Sequence, residues 1–124
     1  MGIIRLVELT LEIKGDIRMQ AIAKTSKDEL MDQIKTGKYM LFFSAGWCSD
    51  CNFIKPQMPA IEAEYSNYQF ISIDRDENLD LAVELNVFGI PSFIAFEDGK
   101  ETGRFVNKDR KTKEQVEKFI DDLA

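Results

Sequence analysis

The sequence predicts an α/β fold: a central mixed β-sheet flanked by helices on both faces. Three observations carry this prediction. Strand-like and helix-like apolar patterns alternate along the chain in the order βαβαβαββα. The run Tyr39-Met40-Leu41-Phe42-Phe43 is continuously apolar, as a central strand buried on both faces must be. Near the C-terminus two strand patterns flank Asp98-Gly99, a hairpin turn. It adds antiparallel pairing to the parallel pairing that right-handed βαβ crossovers impose.

The elements follow in order. Val7, Leu9, Leu11 and Ile13 alternate with Glu8, Thr10 and Glu12 in a strand pattern. Residues 1–19 nevertheless look detached from the rest and read as an N-terminal extension, an extra strand or a disordered arm. Met19 is an alternative start, because Lys14-Gly15-Asp16 can be encoded by a bacterial ribosome-binding sequence. The domain proper is expected over residues 20–124.

Ala21-Ile22-Ala23 reads as a short strand. Ser26 and Glu29 form a capping box that opens a helix through Leu30, Met31 and Ile34, ending near Gly37. The central strand at Tyr39–Phe43 follows. A helix then spans about Cys48 to Tyr65, with Pro56 expected to kink it by removing a backbone donor. Tyr68 to Asp74 is the next strand. A short helix from Asn78 to Leu85 carries Leu79, Ala82, Val83 and Leu85 at helical spacing. Ser92–Phe96 and Glu101–Val106 form the hairpin. Thr112 caps the last helix, with Val116, Phe119, Ile120 and Leu123 as its inward stripe.

Composition narrows the function. A chain of 124 residues fits one domain and can bury a core without staples. Most of its 9 Phe are expected in that core. The formal net charge of −6 argues against nucleic acid or an anionic membrane as the main partner. No segment approaches the roughly 20 apolar residues of a membrane span. Acidic residues in the first 20 positions and the lack of a small-residue cleavage site speak against a signal peptide. A cytoplasmic location is therefore expected. There is no His and there are only 2 Cys, so Cys/His and Ser/His catalysis and most zinc sites are excluded, and no metal is expected.

The chemistry converges on Trp47-Cys48-Ser49-Asp50-Cys51. The cysteines follow a buried strand and open a helix, where unpaired N–H groups stabilise an anion. Cys48, at the very start, is the expected thiolate nucleophile. Cys51 lies one turn on, on the same face, placed to resolve a mixed disulfide. Spacing alone leaves open a pair of inert structural cysteines.

The segment Phe42-Phe43-Ser44-Ala45-Gly46-Trp47-Cys48-Ser49-Asp50-Cys51, with Pro56 five positions on, resembles the active-site segment of the thioredoxin family. Gly89-Ile90-Pro91-Ser92, some forty residues downstream, resembles the family's second landmark. The resemblance covers about residues 20–124 and leaves residues 1–19 outside. It implies a thioredoxin fold and a cis Pro91 packed against the cysteines, with the Ile90 backbone beside Cys48 to pair with an extended substrate. Trp47, Ile73, Gly89, Ile90, Pro91, Val106 and Asn107 are then expected around a shallow apolar contact surface.

Three departures from the family pattern are visible. Ser49-Asp50 stands where thioredoxins carry Gly-Pro, and Asp50 brings a negative charge that disfavours the thiolate. Phe42 stands where the family has a buried Asp that helps proton transfer, and Phe70 where it has a nearby Lys. The loop Asn107-Lys108-Asp109-Arg110-Lys111 is slightly long and basic, and reads as a solvated charge run or, alternatively, a partner-recognition element. Ser49, Asp50 and Phe42 are therefore expected to modulate the site.

The implied protein is a monomer that reduces protein disulfides by dithiol exchange. It takes electrons from a thioredoxin reductase or a low-molecular-weight thiol and needs no cofactor beyond a Cys48–Cys51 disulfide. The alternatives are a higher-potential isomerase or oxidant, an accessory protein of bacteriocin export like some related Gram-positive proteins, or a non-enzymatic binding module.

Overall fold

The computed structural model describes residues 19–123. The alternation at Val7–Ile13 and the proposed start region ahead of Met19 lie outside the described residues. Five strands form one mixed sheet: β1 (Gln20–Ile22), β2 (Lys38–Ser44), β3 (Gln69–Asp74), β4 (Ser92–Glu97) and β5 (Lys100–Phe105). The helices are α1 (Lys27–Gln33), α2 (Ser49–Ile54), α3 (Met58–Glu64), α4 (Leu79–Glu84) and α5 (Lys113–Asp121).

The strand order is β1-β3-β2-β4-β5. β1 and β2 run parallel to β3, whereas β4 is antiparallel to both β2 and β5. β2 is therefore central, which is why its sequence is apolar on both alternations. Leu41 and Phe43 face a cluster with Leu30 of α1 and Ile34 at its C-cap, Ile71 and Ile73, and Leu81, Ala82 and Leu85 of the α4 region. Met40 and Phe42 face the opposite cluster, with Ile54, Met58, Ile61, Phe93, Val116 and Ile120. Phe42 stacks on Phe93 with ring centroids 4.9 Å apart, a pairing worth about 0.5–1.5 kcal/mol beyond burial.

Local signals in the sequence translate directly. Ser26 and Thr112 each form a complete capping box, with Glu29 and Gln115 respectively. At the hairpin, Asp98 (φ 52°) and Gly99 (φ 81°) are both left-handed, the geometry of a primed turn matched to strand twist. Pro56 breaks the long helix as expected: a 3-10 turn at Lys55–Gln57 separates α2 from α3.

Helix α4 departs from the expected stripe. Leu79 and Val83 are exposed, whereas Leu81, Ala82 and Leu85 are buried. The inward face is offset, running through Asn78, Leu81, Ala82 and Leu85, with a polar residue at its first position. Asn78 is accommodated because its amide donates to the Asp74 carbonyl (3.1 Å) and its Oδ1 accepts from Thr25 N–H (2.9 Å). Of the phenylalanines, Phe42, Phe43, Phe70, Phe93 and Phe96 are buried as expected, but Phe53 and Phe88 are exposed.

The Thr112 cap supplies a test of the last helix. Thr112→Ala is expected to lower stability by about 1 kcal/mol and Thr112→Gly by only a few tenths. The urea midpoint should move with unchanged slope.

Candidate active site

Strand register brings the site together. In the antiparallel pair, Phe43 stands opposite Ser92, so Pro91 falls beside the end of β2 where the chain turns into α2. In the parallel pair, Ser44 stands opposite Asp74, and Arg75 N–H donates to the Ser44 carbonyl at 2.8 Å. Three segments thus meet at the C-terminal end of the central strand: the turn at 45–48, the loop after β3, and the loop before β4.

Ala45-Gly46-Trp47 makes the turn, closed by Cys48 N–H on the Ala45 carbonyl (3.2 Å). Cys48 is the N-cap of α2, with extended backbone, and its Sγ accepts the N–H of Cys51 at 3.1 Å. The two cysteines form a disulfide, Cα–Cα 5.2 Å. Cys51 is fully buried, while Cys48 keeps 6% of its surface exposed. The helix-opening placement read from the sequence is therefore present, and Cys48 is the less buried of the two cysteines.

Ile90–Pro91 is cis. The Ile90 carbonyl oxygen lies 3.9 Å from Cys48 Sγ. Ser92 Oγ donates to the Gly89 carbonyl at 2.6 Å and secures this loop. Gly89 is dictated by space, since a Cβ there would sit 2.5 Å from the Asn107 carbonyl carbon and 2.6 Å from Lys108 N. The loops before β4 and after β5 are thus in backbone contact beside the cysteines.

Ile73 is a correction. It is fully buried within the cluster that also holds Cys48, Cys51 and Ala45, so it supports the site from below and does not rim a contact surface. It lies on the same face of β3 as Ile71, packed in the cluster with Leu41 and Phe43 of β2. Gly89, Ile90 and Pro91 are also largely enclosed. Val106 is half-buried against the same cluster, and Asn107 and Ser49 are exposed. Besides Leu79 and Val83 of α4, the large exposed apolar side chains among the described residues are Trp47, 66% exposed, Phe53 and Phe88. The two phenylalanines escaped the sequence reading because exposure of an aromatic leaves no mark in periodicity.

Trp47 is held although it is exposed. Its Nε1–H donates to Asp76 Oδ2 at 2.7 Å, and Arg75 lies over the indole at 5.6 Å while bonding Asp76 Oδ1 at 3.2 Å. The indole hydrogen bond, aided by Arg75, holds the Asp76 carboxyl below the usual carboxylate range.

The departures from the family pattern take definite form. Asp50 is not an isolated charge: Arg110 Nε donates to its Oδ1 at 2.8 Å. Phe42 and Phe70 share one apolar cluster, so two aromatic rings stand where the resemblance implied a charged pair. The basic loop is not a simple solvated run, because Lys111 is 1% exposed. Its ammonium donates to Asn107 Oδ1 (2.8 Å), the Asp109 carbonyl (2.8 Å) and the Asn107 carbonyl (3.3 Å), and lies over the Phe105 ring. Burial pushes the Lys111 ammonium below its usual range, opposed by Asp109 and Asp50. Among the described residues, no group of three or more His, Cys, Asp or Glu is placed to hold a metal ion.

A disulfide at a helix start, its first cysteine the less buried, and an enclosed cis-proline beside it define a thiol–disulfide exchange centre. Comparison with known proteins gives the family. The thioredoxin family pattern matches residues 14–122, beginning within the segment read as outside the resemblance. Thioredoxin of Homo sapiens is 34% identical over 105 residues, covering 85% of this chain and 97% of its own. Thioredoxin of Oryctolagus cuniculus is 33% identical, covering 84% and 96%. Mitochondrial thioredoxin 3 of Saccharomyces cerevisiae in its oxidised form superposes with TM-score 0.71 at 28% identity, covering 85% of this chain and 95% of that one. The chain belongs to the thioredoxin family and is a thiol–disulfide oxidoreductase. Its partners are disulfide substrates and a reductase or thiol donor.

The Trp47–Asp76 contact predicts a titration. Because the folded carboxyl is lowered, the contact is present above the ordinary Asp value and lost as pH falls through the lowered one. The Trp47 indole N–H resonance should move with a midpoint below the roughly 3.9 of free Asp. Asp76→Asn should abolish that transition.

Proposed function

We propose that this chain reduces disulfides in other proteins, with Cys48 as nucleophile and Cys51 as resolving thiol. The observation that carries the assignment is the asymmetry of the pair: Cys48 keeps a margin of exposure and its sulfur accepts the Cys51 N–H, while Cys51 is fully buried. The reduced Cys48 thiolate attacks one substrate sulfur, breaking the substrate S–S bond and releasing a thiolate that takes up a proton. Cys51, losing its proton, then attacks Cys48 Sγ and releases the second substrate thiol. Two electrons pass to the substrate and the Cys48–Cys51 disulfide forms. A reductase, or two equivalents of a low-molecular-weight thiol, restores the dithiol.

Trp47 offers the exposed apolar face for docking, and the backbone at Ile90, held by Gly89 and Pro91, lies against the reacting sulfur. Phe42 removes the buried carboxylate that the resemblance implies. Proton transfer from Cys51 is thereby left to water, Asp50 or another route, so turnover is expected to be slower. Ser49 and Asp50 set the local field. The protein acts as a monomer in the cytoplasm; the low cysteine count and acidic charge favour a reducing, soluble setting.

Trapping tests the roles. With a disulfide-containing protein substrate, Cys51→Ser should accumulate a mixed disulfide through Cys48, visible on a non-reducing gel. Cys48→Ser should neither form the adduct nor reduce the substrate. If Cys48→Ser kept the wild-type rate, a binding module with idle cysteines would be the better account.

A further inference from the structure

The acidic residue between the cysteines is met by a cation from 60 positions away. Arg110 Nε reaches Asp50 Oδ1 at 2.8 Å, and its guanidinium lies 4.5 Å over the ring of Phe53. Asp50 and Phe53 are three apart in α2 and share one helix face, so carboxylate and ring form a two-point seat for the planar guanidinium. The seat explains why an aromatic ring is left 43% exposed beside the cysteines.

The loop that delivers Arg110 is tied down on either side. The buried Lys111 ammonium gathers acceptors from Asn107 and Asp109, and Thr112 caps α5 immediately after it. Asn107 and Lys108 pass so close to Gly89 that only a glycine fits. The guanidinium is thus presented from an organised loop to the acidic residue of the Cys48-Ser49-Asp50-Cys51 segment.

We propose that Arg110 is a positioning residue for disulfide exchange: by neutralising Asp50 it holds the Cys48/Cys51 couple at a less reducing potential than Asp50 alone would give. The argument rests on the reading of Cys48 as the attacking thiolate. The disulfide carries no charge, whereas the reduced pair carries the Cys48 thiolate near Asp50. An uncompensated carboxylate therefore penalises the reduced form only. Arg110 cancels that penalty. The pair is half-exposed, so its contribution to folding is small, and its effect is read at the cysteines.

The test is the equilibrium of the full chain with glutathione, in which protein disulfide plus two glutathione thiols gives protein dithiol plus glutathione disulfide. Arg110→Gln should lower the constant about threefold, the size expected of a half-exposed ion pair. At about 30 mV per tenfold change, this makes the potential about 14 mV more negative. Asp50→Asn should raise the constant by a similar factor, and in that background Arg110→Gln should have less than half its effect. Arg110→Lys, which keeps the charge, should recover at least half of the shift, and added salt should shrink it. An unchanged constant in Arg110→Gln at low salt, or an equal shift with and without Asp50, overturns the proposal. Should Arg110→Gln fail to fold, the upward shift in Asp50→Asn still decides, and its absence counts against. A wild-type chain that formed no disulfide at any poise would instead overturn the two-cysteine reading beneath it.

Discussion

The backbone N–H of Cys51 points at the sulfur of Cys48 from 3.1 Å, and the chemistry of the site depends on this contact. In the first turn of a helix such an N–H has no intrahelical acceptor, so it is free to stabilise a sulfur anion. Forming the contact requires the chain to leave the central strand and enter the helix within a few residues. The two-faced burial of β2 supplies a rigid origin, and the hydrogen bonds of Ser44 and Ala45 set the turn. Pro56 then ends α2 after six residues, so this short helix starts at the cysteines and stops at the kink.

Around that contact the charges are arranged by tertiary structure. Asp76 receives the Trp47 indole, and Asp50 receives Arg110. Neither arrangement stabilises the fold much, since exposed pairs are worth little in water. Their effect lies in where they act: one fixes the exposed indole and the other offsets the carboxylate of a residue that stands between the two cysteines in sequence. Lys111 is the more demanding case. Its ammonium is removed from solvent, which depresses its basicity, and three oxygen acceptors from its own loop offset the loss of water.

Much of this was legible in the sequence. Both capping boxes, the hairpin turn, the kink at Pro56, the two-faced central strand and the Cys48/Cys51 pair are local patterns, readable within a few residues, whereas the cis Pro91 came from the family resemblance. The offset of α4 was not, because Asn78 takes an inward position that only its partners Asp74 and Thr25 make tolerable. Ile73 was misplaced since a family resemblance does not say how deep a strand residue lies. The pairing of Arg110 with Asp50, the role of Asp76 and the exposure of Phe53 and Phe88 went unnoticed for a related reason. Arg110 lies 60 residues from Asp50 and Asp76 lies 29 from Trp47, and no spacing rule within an element links such pairs.

The central claim is that the Cys48/Cys51 pair cycles between disulfide and dithiol as a reductant. The most direct test is a redox titration of the full chain across thiol poises, followed by thiol alkylation and Trp47 fluorescence. The account predicts a two-electron transition near the potential of thioredoxin, about −270 mV. A midpoint near about −180 mV or above, the range of isomerases and oxidants, would contradict it.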